Sequence, residues 1–192
     1  MEMLGYNQYQ KLASRTQNKE LTGQERFLHS ALGLCAEIEE LRLAKESGDA
    51  AVIEDESGDV LWMMAEMCDA CSLNMNTVFS SASEGMQHAE KERASLYQSE
   101  ANPPMPRKRH FDLALMAHCA ANISGIAQKT LQGHTAASID VEMWLQLVMV
   151  CLKRVASYHG FSVRHAMYQN IEKLKLRYPE GFSANKSIHR EE

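Results

Sequence analysis

The chain has 192 residues, of which 45% are hydrophobic and 23% are charged, and its formal net charge at pH 7 is −5. This composition is typical of a soluble globular protein, and the length allows one domain or two small modules with a buried core. The net negative charge argues against a nucleic-acid partner, because phosphate backbones are bound by clustered lysine and arginine side chains. No apolar run approaches the length of a membrane-spanning helix, so we expect no membrane association either.

The N-terminal sequence and the cysteines indicate a cytoplasmic protein. The first ten residues, MEMLGYNQYQ, lack the basic and then apolar order of a secretory signal peptide. The five cysteines are an odd number without disulfide-like spacing, which favours buried free thiols in a reducing compartment. Cys68 and Cys71 form a CxxC pair on an apolar helix face, and buried thiols are expected there rather than a zinc site, because no second ligand pair accompanies them.

The first half of the chain has a helical pattern, and no alternation of β-branched residues predicts a strand. A short first helix is predicted over residues 9–16. A capping box at residues 22–25 predicts that a long second helix begins at about Gly23 and runs to about Glu46. A third helix is predicted from about Val52 to Cys71, and a more polar fourth helix from about Asn74 to Gln98.

The second half is also helical, so we predict an all-α protein. The segment 99–110 contains three of the four prolines and is the best linker in the chain. Three further helices are predicted over residues 111–131, 138–159 and 160–179.

The two halves of the chain resemble each other weakly. Ala31, Cys35, Gly48 and Trp62 recur at offsets of 83, 84, 85 and 82 residues as Ala114, Cys119, Gly133 and Trp144. We therefore predict a helical module with the acidic site over residues 1–98, a linker over 99–110 and a degenerate second module over 111–192. Such a tandem duplication would fold as a pseudo-dimer, although two unrelated helical hairpins would produce a similar pattern.

Four acidic residues occur as two pairs, each spaced by one helical turn. Glu37 and Glu40 lie on the second predicted helix, and Glu56 and Asp59 lie on the third. A tight turn makes these helices antiparallel neighbours, so the two pairs can face each other. Carboxylates that converge on a partly apolar groove repel one another unless a cation neutralises them. The pattern therefore predicts a Mg²⁺ site, with Mn²⁺ as an alternative ion.

Acidic pairs at this spacing are also common on solvated helix faces, which is the competing interpretation. Glu39, Glu54 and Asp55 are expected to be ordinary surface charges of that kind. Glu66 follows Asp59 by seven residues and is expected to be solvated rather than part of the acidic ridge. His29 is expected to be a half-buried structural residue, with the rim of the site as the alternative.

Asn170, Lys173 and Arg177 share one face of the last predicted helix, at positions i, i+3 and i+7. This stripe could bind phosphate oxygens while the acids bind metal. The competing interpretation is a solvated basic last turn, which the helix dipole favours. Tyr178 would either stack on a nucleobase or close the core.

The acidic pairs and the C-terminal sequence carry a family resemblance. Fifteen residues separate Glu37-x-x-Glu40 from Glu56-x-x-Asp59, and this motif resembles the metal motif of the MazG-like, all-α nucleoside triphosphate pyrophosphohydrolases. The C-terminal segment resembles the closing Asn-x-x-Lys-Leu-x-x-Arg-Tyr-Pro signature of the same family. Matching segments cover roughly residues 6–74 and 160–183. Two glycines of the usual Gly-Glu-x-Gly-Glu pattern are replaced here, by Ala36 and Glu39.

The resemblance implies an all-α MazG-like helical bundle that hydrolyses a nucleoside triphosphate between the α and β phosphates, giving a nucleoside monophosphate and pyrophosphate. It implies that all four acids bind Mg²⁺ and that Glu37 or Glu40 takes the proton of the attacking water. It implies a homo-oligomer, because simple family members assemble active sites around packed subunits. The substrate-binding residues that it implies are Asn170, Lys173, Arg177 and Tyr178.

Two alternatives remain open at this point. A dUTPase or a (p)ppGpp hydrolase could use the same scaffold. A module that senses nucleotides without turning them over is the third interpretation, which the replaced glycines favour and the intact acidic quartet opposes. In each case the acids would come from the first module and the phosphate-binding residues from the second.

Overall fold

A computed structural model describes residues 4–80, 108–134 and 138–183 of the protein. Within these ranges the chain is all α-helical, as predicted, and no strand is present. The predicted linker, apart from its last residues, and most of the predicted fourth helix lie outside the described residues. No helix in the described ranges is long and apolar enough to cross a membrane.

Seven helices follow one another along the described chain. A single 3-10 turn, Ser14–Thr16, follows the first of them. The helices are α1 (Tyr6–Ala13), α2 (Gly23–Ser47), α3 (Ala50–Ala70), α4 (Met75–Ser80), α5 (Lys108–Leu131), α6 (Ser138–His159) and α7 (Val163–Arg177).

Local signals fix the hairpin between α2 and α3. The predicted capping box is confirmed at the start of α2, where the Thr22 hydroxyl accepts from the Glu25 backbone and the Glu25 carboxylate accepts from the Thr22 backbone. Helix α2 ends at Gly48, whose φ of 75° lies in the left-handed region that glycine adopts without strain. Asp49 then caps α3 by accepting from the Ala51 backbone. This two-residue connection makes α2 and α3 antiparallel neighbours.

Helix α3 lies at the centre of the bundle. It contacts α2 along the hairpin and also packs against α1, α6 and α7. A second hairpin, formed by α5 and α6, packs on the first through contacts between α5 and α2. The buried apolar side chains form one cluster that extends from Leu4 to Tyr178. Within this cluster, helix α7 packs against α3.

The cysteines only partly match the expectation of buried thiols. Cys68, Cys119 and Cys151 are buried, and burial raises the pKa of the half-buried Cys71 thiol to about 11. Cys35 is exposed on α2, contrary to the expectation, because its neighbour Leu34 takes the buried position on that turn. All five cysteines lie in the described ranges, and none of them forms a disulfide bond there.

Candidate metal centre and adjoining pocket

Three of the four predicted metal ligands come together between α2 and α3. Glu37, Glu56 and Asp59 each place one carboxylate oxygen so that the three oxygens lie within 4.8 Å of one another. All three side chains are half-buried. Glu40 is not part of this set and is exposed one turn further along α2. Three carboxylate oxygens at this spacing match the ligands that hard divalent cations prefer.

One atom of the cluster supports a cation directly. Glu56 Oε2 is buried and has no hydrogen-bond donor in the described parts of the chain. A buried carboxylate oxygen without a partner is costly, and a cation at the cluster would satisfy it. The donor set and this unpaired oxygen therefore fit a divalent metal ion.

Asp59 is held by residues from both ends of the chain. Asn170 Nδ2 donates to Asp59 Oδ1 at 3.0 Å, and Lys173 Nζ donates to Asp59 Oδ2 at 2.7 Å. The buried Tyr9 hydroxyl donates to Asn170 Oδ1 at 2.9 Å, which orients the amide so that its NH₂ group faces Asp59. Two of the predicted phosphate-binding residues thus contact a predicted metal ligand.

A glycine on α3 allows α7 to approach this closely. A Cβ atom added to Gly58 would lie 2.9 Å from Asn170 Cβ and 3.2 Å from its Nδ2. Any larger residue at position 58 would push Asn170 away from Asp59.

Lys173 bridges two acids rather than one. Its Nζ lies 2.8 Å from Asp55 Oδ1 in addition to the bond with Asp59. Asp55 is exposed, as expected of a surface charge, and it is ion-paired with Lys173. Burial lowers the pKa of Lys173, but the negative charge of Asp59 and the bonds to Asp55 outweigh burial, so the net shift is upward.

The crowded carboxylates perturb one another. Burial, and then the charges of Asp59, Glu40 and Glu56, raise the pKa of Glu37 to about 7, against an opposing contribution from Lys173. Burial and the neighbouring acids also raise the pKa of Glu56. Burial and the repulsion between like charges disfavour the ionised carboxylates, and a bound cation would favour them.

A pocket of about 300 Å³ adjoins the carboxylates. Its lining is mixed, with polar and charged residues beside the aromatic rings of Trp62, Tyr178 and Phe182. The indole of Trp62 is fixed by donating to Thr16 Oγ1 at 2.9 Å. Tyr178 and Phe182 form a tilted pair with 6.3 Å between ring centroids. The lining residues are Thr16, Asn18, Leu21, His29, Glu37, Asp59, Trp62, Met63, Leu174, Arg177, Tyr178 and Phe182.

The remaining predicted substrate-binding residues both line this pocket. Arg177 is exposed at its edge, where the guanidinium is accessible to a ligand. Tyr178 is 7% exposed, so it closes the core and forms a pocket wall at the same time. The described structure therefore gathers Asn170, Lys173, Arg177 and Tyr178 around the carboxylate cluster or its pocket.

The prediction that Glu66 is solvated is wrong. This residue is fully buried, and its Oε2 lies 2.6 Å from His29 Nδ1, while its Oε1 has no donor within the described ranges. The hydrogen bond from His29 to Glu66 raises the pKa of the histidine, burial opposes the shift, and the carboxylate charge adds to it. The sequence feature that could have predicted this burial is the two-turn spacing from Asp59, which puts Glu66 on the face of α3 that packs against α2.

His29 connects this buried acid to the pocket. Its ring contacts the edge of Trp62 with 6.3 Å between centroids, and its side chain is 50% exposed at the pocket lining. A histidine paired to a buried carboxylate keeps Nδ1 protonated and leaves Nε2 facing outward. His29 is thus a pocket residue with a fixed orientation.

Comparisons with known proteins give no family assignment. No protein-family model matches the chain, and no significant match is found among curated proteins or solved structures. The function is therefore inferred from the carboxylate cluster, the residues of α7 that contact it and the aromatic pocket beside it.

Proposed function

We propose that the protein is a Mg²⁺-dependent nucleotide pyrophosphohydrolase of the MazG-like, all-α type, which cleaves nucleoside triphosphates to nucleoside monophosphates and pyrophosphate. The observation that carries the proposal is the cluster of Glu37, Glu56 and Asp59 beside a pocket with aromatic walls. Three carboxylate oxygens suit a divalent cation, and a triphosphate needs such a cation to offset its charge. Aromatic walls suit a nucleobase, because every base has a face that can stack.

In this proposal, different residues bind the base, the phosphates and the metal ion. The base would lie against Trp62 and Tyr178, and Arg177 at the pocket edge would bind phosphate oxygens through its planar guanidinium. Glu37, Glu56 and Asp59 would hold the Mg²⁺, which when bound offsets phosphate charge and activates the attacking water.

A carboxylate on α2 would accept the proton of the water that attacks the α-phosphorus. A general base is most effective when its pKa is near the working pH, and the pKa of Glu37 is about 7 without metal. A bound cation stabilises the ionised form of Glu37, which lowers its pKa and makes it a weaker base. Glu40, which lies outside the three-carboxylate set, is therefore the alternative base.

Product analysis tests this proposal. The full chain is incubated with nucleoside triphosphates, deoxynucleoside triphosphates including dUTP, and (p)ppGpp, each with and without Mg²⁺, and the products are separated by ion-exchange chromatography. We expect monophosphate and pyrophosphate in equal amounts, only with metal. Release of inorganic phosphate as the first product would contradict cleavage between the α and β phosphates.

Substitution of the cluster links turnover to the site. Loss of an outer partner of a metal ligand costs about 10- to 100-fold in affinity or activity, so Glu56→Gln, which removes a ligand itself, should cost at least as much. Mn²⁺ affinity by titration calorimetry and initial rates are the measurements. Glu39→Gln is the matched control, because Glu39 lies on α2 beside Glu40 but is exposed and paired with Arg42. Equal rates in Glu56→Gln and Glu39→Gln would show that turnover does not depend on the cluster.

A nucleotide-sensing module without turnover is the second candidate. The ion pair between Lys173 and Asp59 favours it, because one metal ligand already has a protein counter-charge. Measurable binding of Mg²⁺ and a non-hydrolysable triphosphate, with no product over the whole substrate panel, would support this candidate over the enzyme.

We further infer that the two hairpins derive from a duplication, with one retained site assembled from both halves. The pairing of α2–α3 with α5–α6 supports this, as does the contact of Asp59 with Asn170 and Lys173. At the offsets given above, the second half has no carboxylate where the first has its four acids. The residues at those positions are Ala121, Ser124, Ser138 and Val141.

A further inference from the structure

The ammonium group of Lys173 occupies a defined position between two carboxylates. Asp55 and Asp59 lie one turn apart on α3, and Lys173 reaches both from α7 at 2.8 and 2.7 Å. The lysine side chain is only 21% exposed, whereas an unpaired surface lysine would extend into solvent. Asn170, one turn earlier on α7, fixes the other oxygen of Asp59. The ammonium is therefore held against Oδ2 of Asp59 and Oδ1 of Asp55.

This position has the properties of a second cation site. Sites with two metal ions hold them about 3.5–4 Å apart, commonly bridged by a shared carboxylate. Asp59 belongs to the cluster with Glu37 and Glu56, and it also shares the Lys173 ammonium with Asp55. A carboxylate has about four lone-pair sites, so Asp59 can serve a cation on each edge.

The charges of the site are consistent with one metal ion and one ammonium. Four acids interact with the ammonium: Asp55 and Asp59 pair with it, and its charge also acts on Glu37 and Glu56. The lysine is close enough to oppose the rise in pKa of both Glu37 and Glu56, so it acts on the whole cluster. A divalent ion placed between Asp55 and Asp59 would meet a positive charge held within hydrogen-bonding distance of both acids, and the two would repel.

We propose that Lys173 is a tethered counter-cation that takes the place of a second metal ion, so that the site binds one divalent cation instead of two. The proposal rests on the metal site of the proposed function and revises the role expected for Lys173, from a phosphate ligand to a fixed substitute for a metal. Two of its three donors already serve carboxylates. Arg177, which has no ion pair within the described residues, is left to bind phosphate.

Counting Mn²⁺ ions tests the proposal. The full chain is titrated with Mn²⁺ alone, and bound ions are counted by calorimetry and by the paramagnetic resonance signal of free Mn²⁺. We expect one ion per chain in the wild type and two in Lys173→Gln, which removes the charge but keeps a polar side chain. Lys175→Gln is the matched control on the same helix, because within residues 4–80, 108–134 and 138–183 Lys175 pairs with Glu172 alone, and it should bind one ion.

A double variant locates the second ion. Asp55→Asn combined with Lys173→Gln should return the count to one, because the second ion loses a ligand. Lys173→Met, which keeps the aliphatic stem, replaces Lys173→Gln if circular dichroism shows that the glutamine variant is unfolded.

The outcomes separate this inference from the proposed function. Two ions in the wild type, or one ion in both neutral Lys173 variants, would overturn the counter-cation. If the wild type and Lys173→Gln each bind one ion and the substitution raises the KM for the nucleotide, then Lys173 binds phosphate, as first expected. No Mn²⁺ bound by the wild type would overturn the metal site itself, and the proposed function with it.

Discussion

At the scale of single residues, acids on the central hairpin differ in burial and in the partners that burial requires. Glu66 and Glu39 have the same side chain and both lie on the central hairpin, but Glu66 is fully buried against His29 while Glu39 is exposed beside Arg42. Sequence spacing alone did not separate them, because a buried acid requires a partner from another helix. The partner of Glu66 is 37 residues away in sequence, and only the packing of α2 on α3 brings it close.

Replacing Glu66 should change how stability depends on pH. The hydrogen bond raises the pKa of folded His29 above its unfolded value of about 6.5. The folded state therefore binds the proton more tightly, so the contribution is complete below about pH 6.5 and is lost as pH rises through the raised pKa. Glu66→Gln should show a smaller loss of stability between pH 6 and pH 8.5 than the wild type.

Urea denaturation at several pH values measures this effect. Glu20→Gln is the control, because Glu20 is exposed in the segment before α2 and should leave the pH profile unchanged. A wild-type profile that is reproduced by Glu66→Gln would mean that the pair is not ionised in the folded protein.

At the scale of helices, local signals predicted boundaries well and contacts less well. The second helix was predicted over Gly23–Glu46 and runs over Gly23–Ser47, since capping and a left-handed glycine are properties of short segments. The third begins at Ala50, two residues before the prediction, because Asp49 serves as its cap. The face of α7 that carries Asn170 and Lys173 was predictable from spacing, but its partner on α3 was not. Gly58 permits this contact because it has no Cβ, and that role is visible only once the two helices are packed.

Substituting Gly58 should loosen α7 from α3. Gly58→Ala puts a methyl group within 2.9 Å of Asn170 Cβ, and overpacking of this kind costs roughly 1–3 kcal/mol in the free energy of unfolding. Gly125→Ala is a control on α5, where an added Cβ meets nothing within 4 Å, and it should stabilise the protein by roughly 0.5–1 kcal/mol. Thermal or urea unfolding of both variants gives the comparison. Equal stabilisation by both substitutions would contradict close contact at Gly58.

At the scale of the whole molecule, the two predicted modules share one core and one site. Helix α3 of the first packs against α6 and α7 of the second, and the buried cluster includes residues from both. The all-α class followed from composition and periodicity, because helical spacing repeats throughout the chain. The contact of Asp59 with Asn170 and Lys173 could not be derived from helical spacing, because these residues are more than 100 positions apart in sequence.

The first module should not be stable by itself. A fragment of residues 1–98 would expose the apolar faces of α2 and α3 that α5, α6 and α7 cover, and would lose Asn170 and Lys173. We expect it to associate or unfold, and to bind Mn²⁺ more weakly than the full chain. Size-exclusion chromatography and thermal unfolding test this. A monomeric fragment with a cooperative transition and full Mn²⁺ affinity would contradict the shared core.

The hydrogen-bonded series from Tyr9 through Asn170 to Asp59 has a consequence for biosynthesis. Tyr9 and Asn170 are separated by 161 positions, so this contact has a high contact order and cannot form until Asn170 has left the ribosome. A cation that binds only the assembled cluster would stabilise the finished fold by mass action, while giving no advantage to the nascent chain. Metal occupancy would then report that the helix carrying Asn170 has been synthesised and has packed against the acidic cluster.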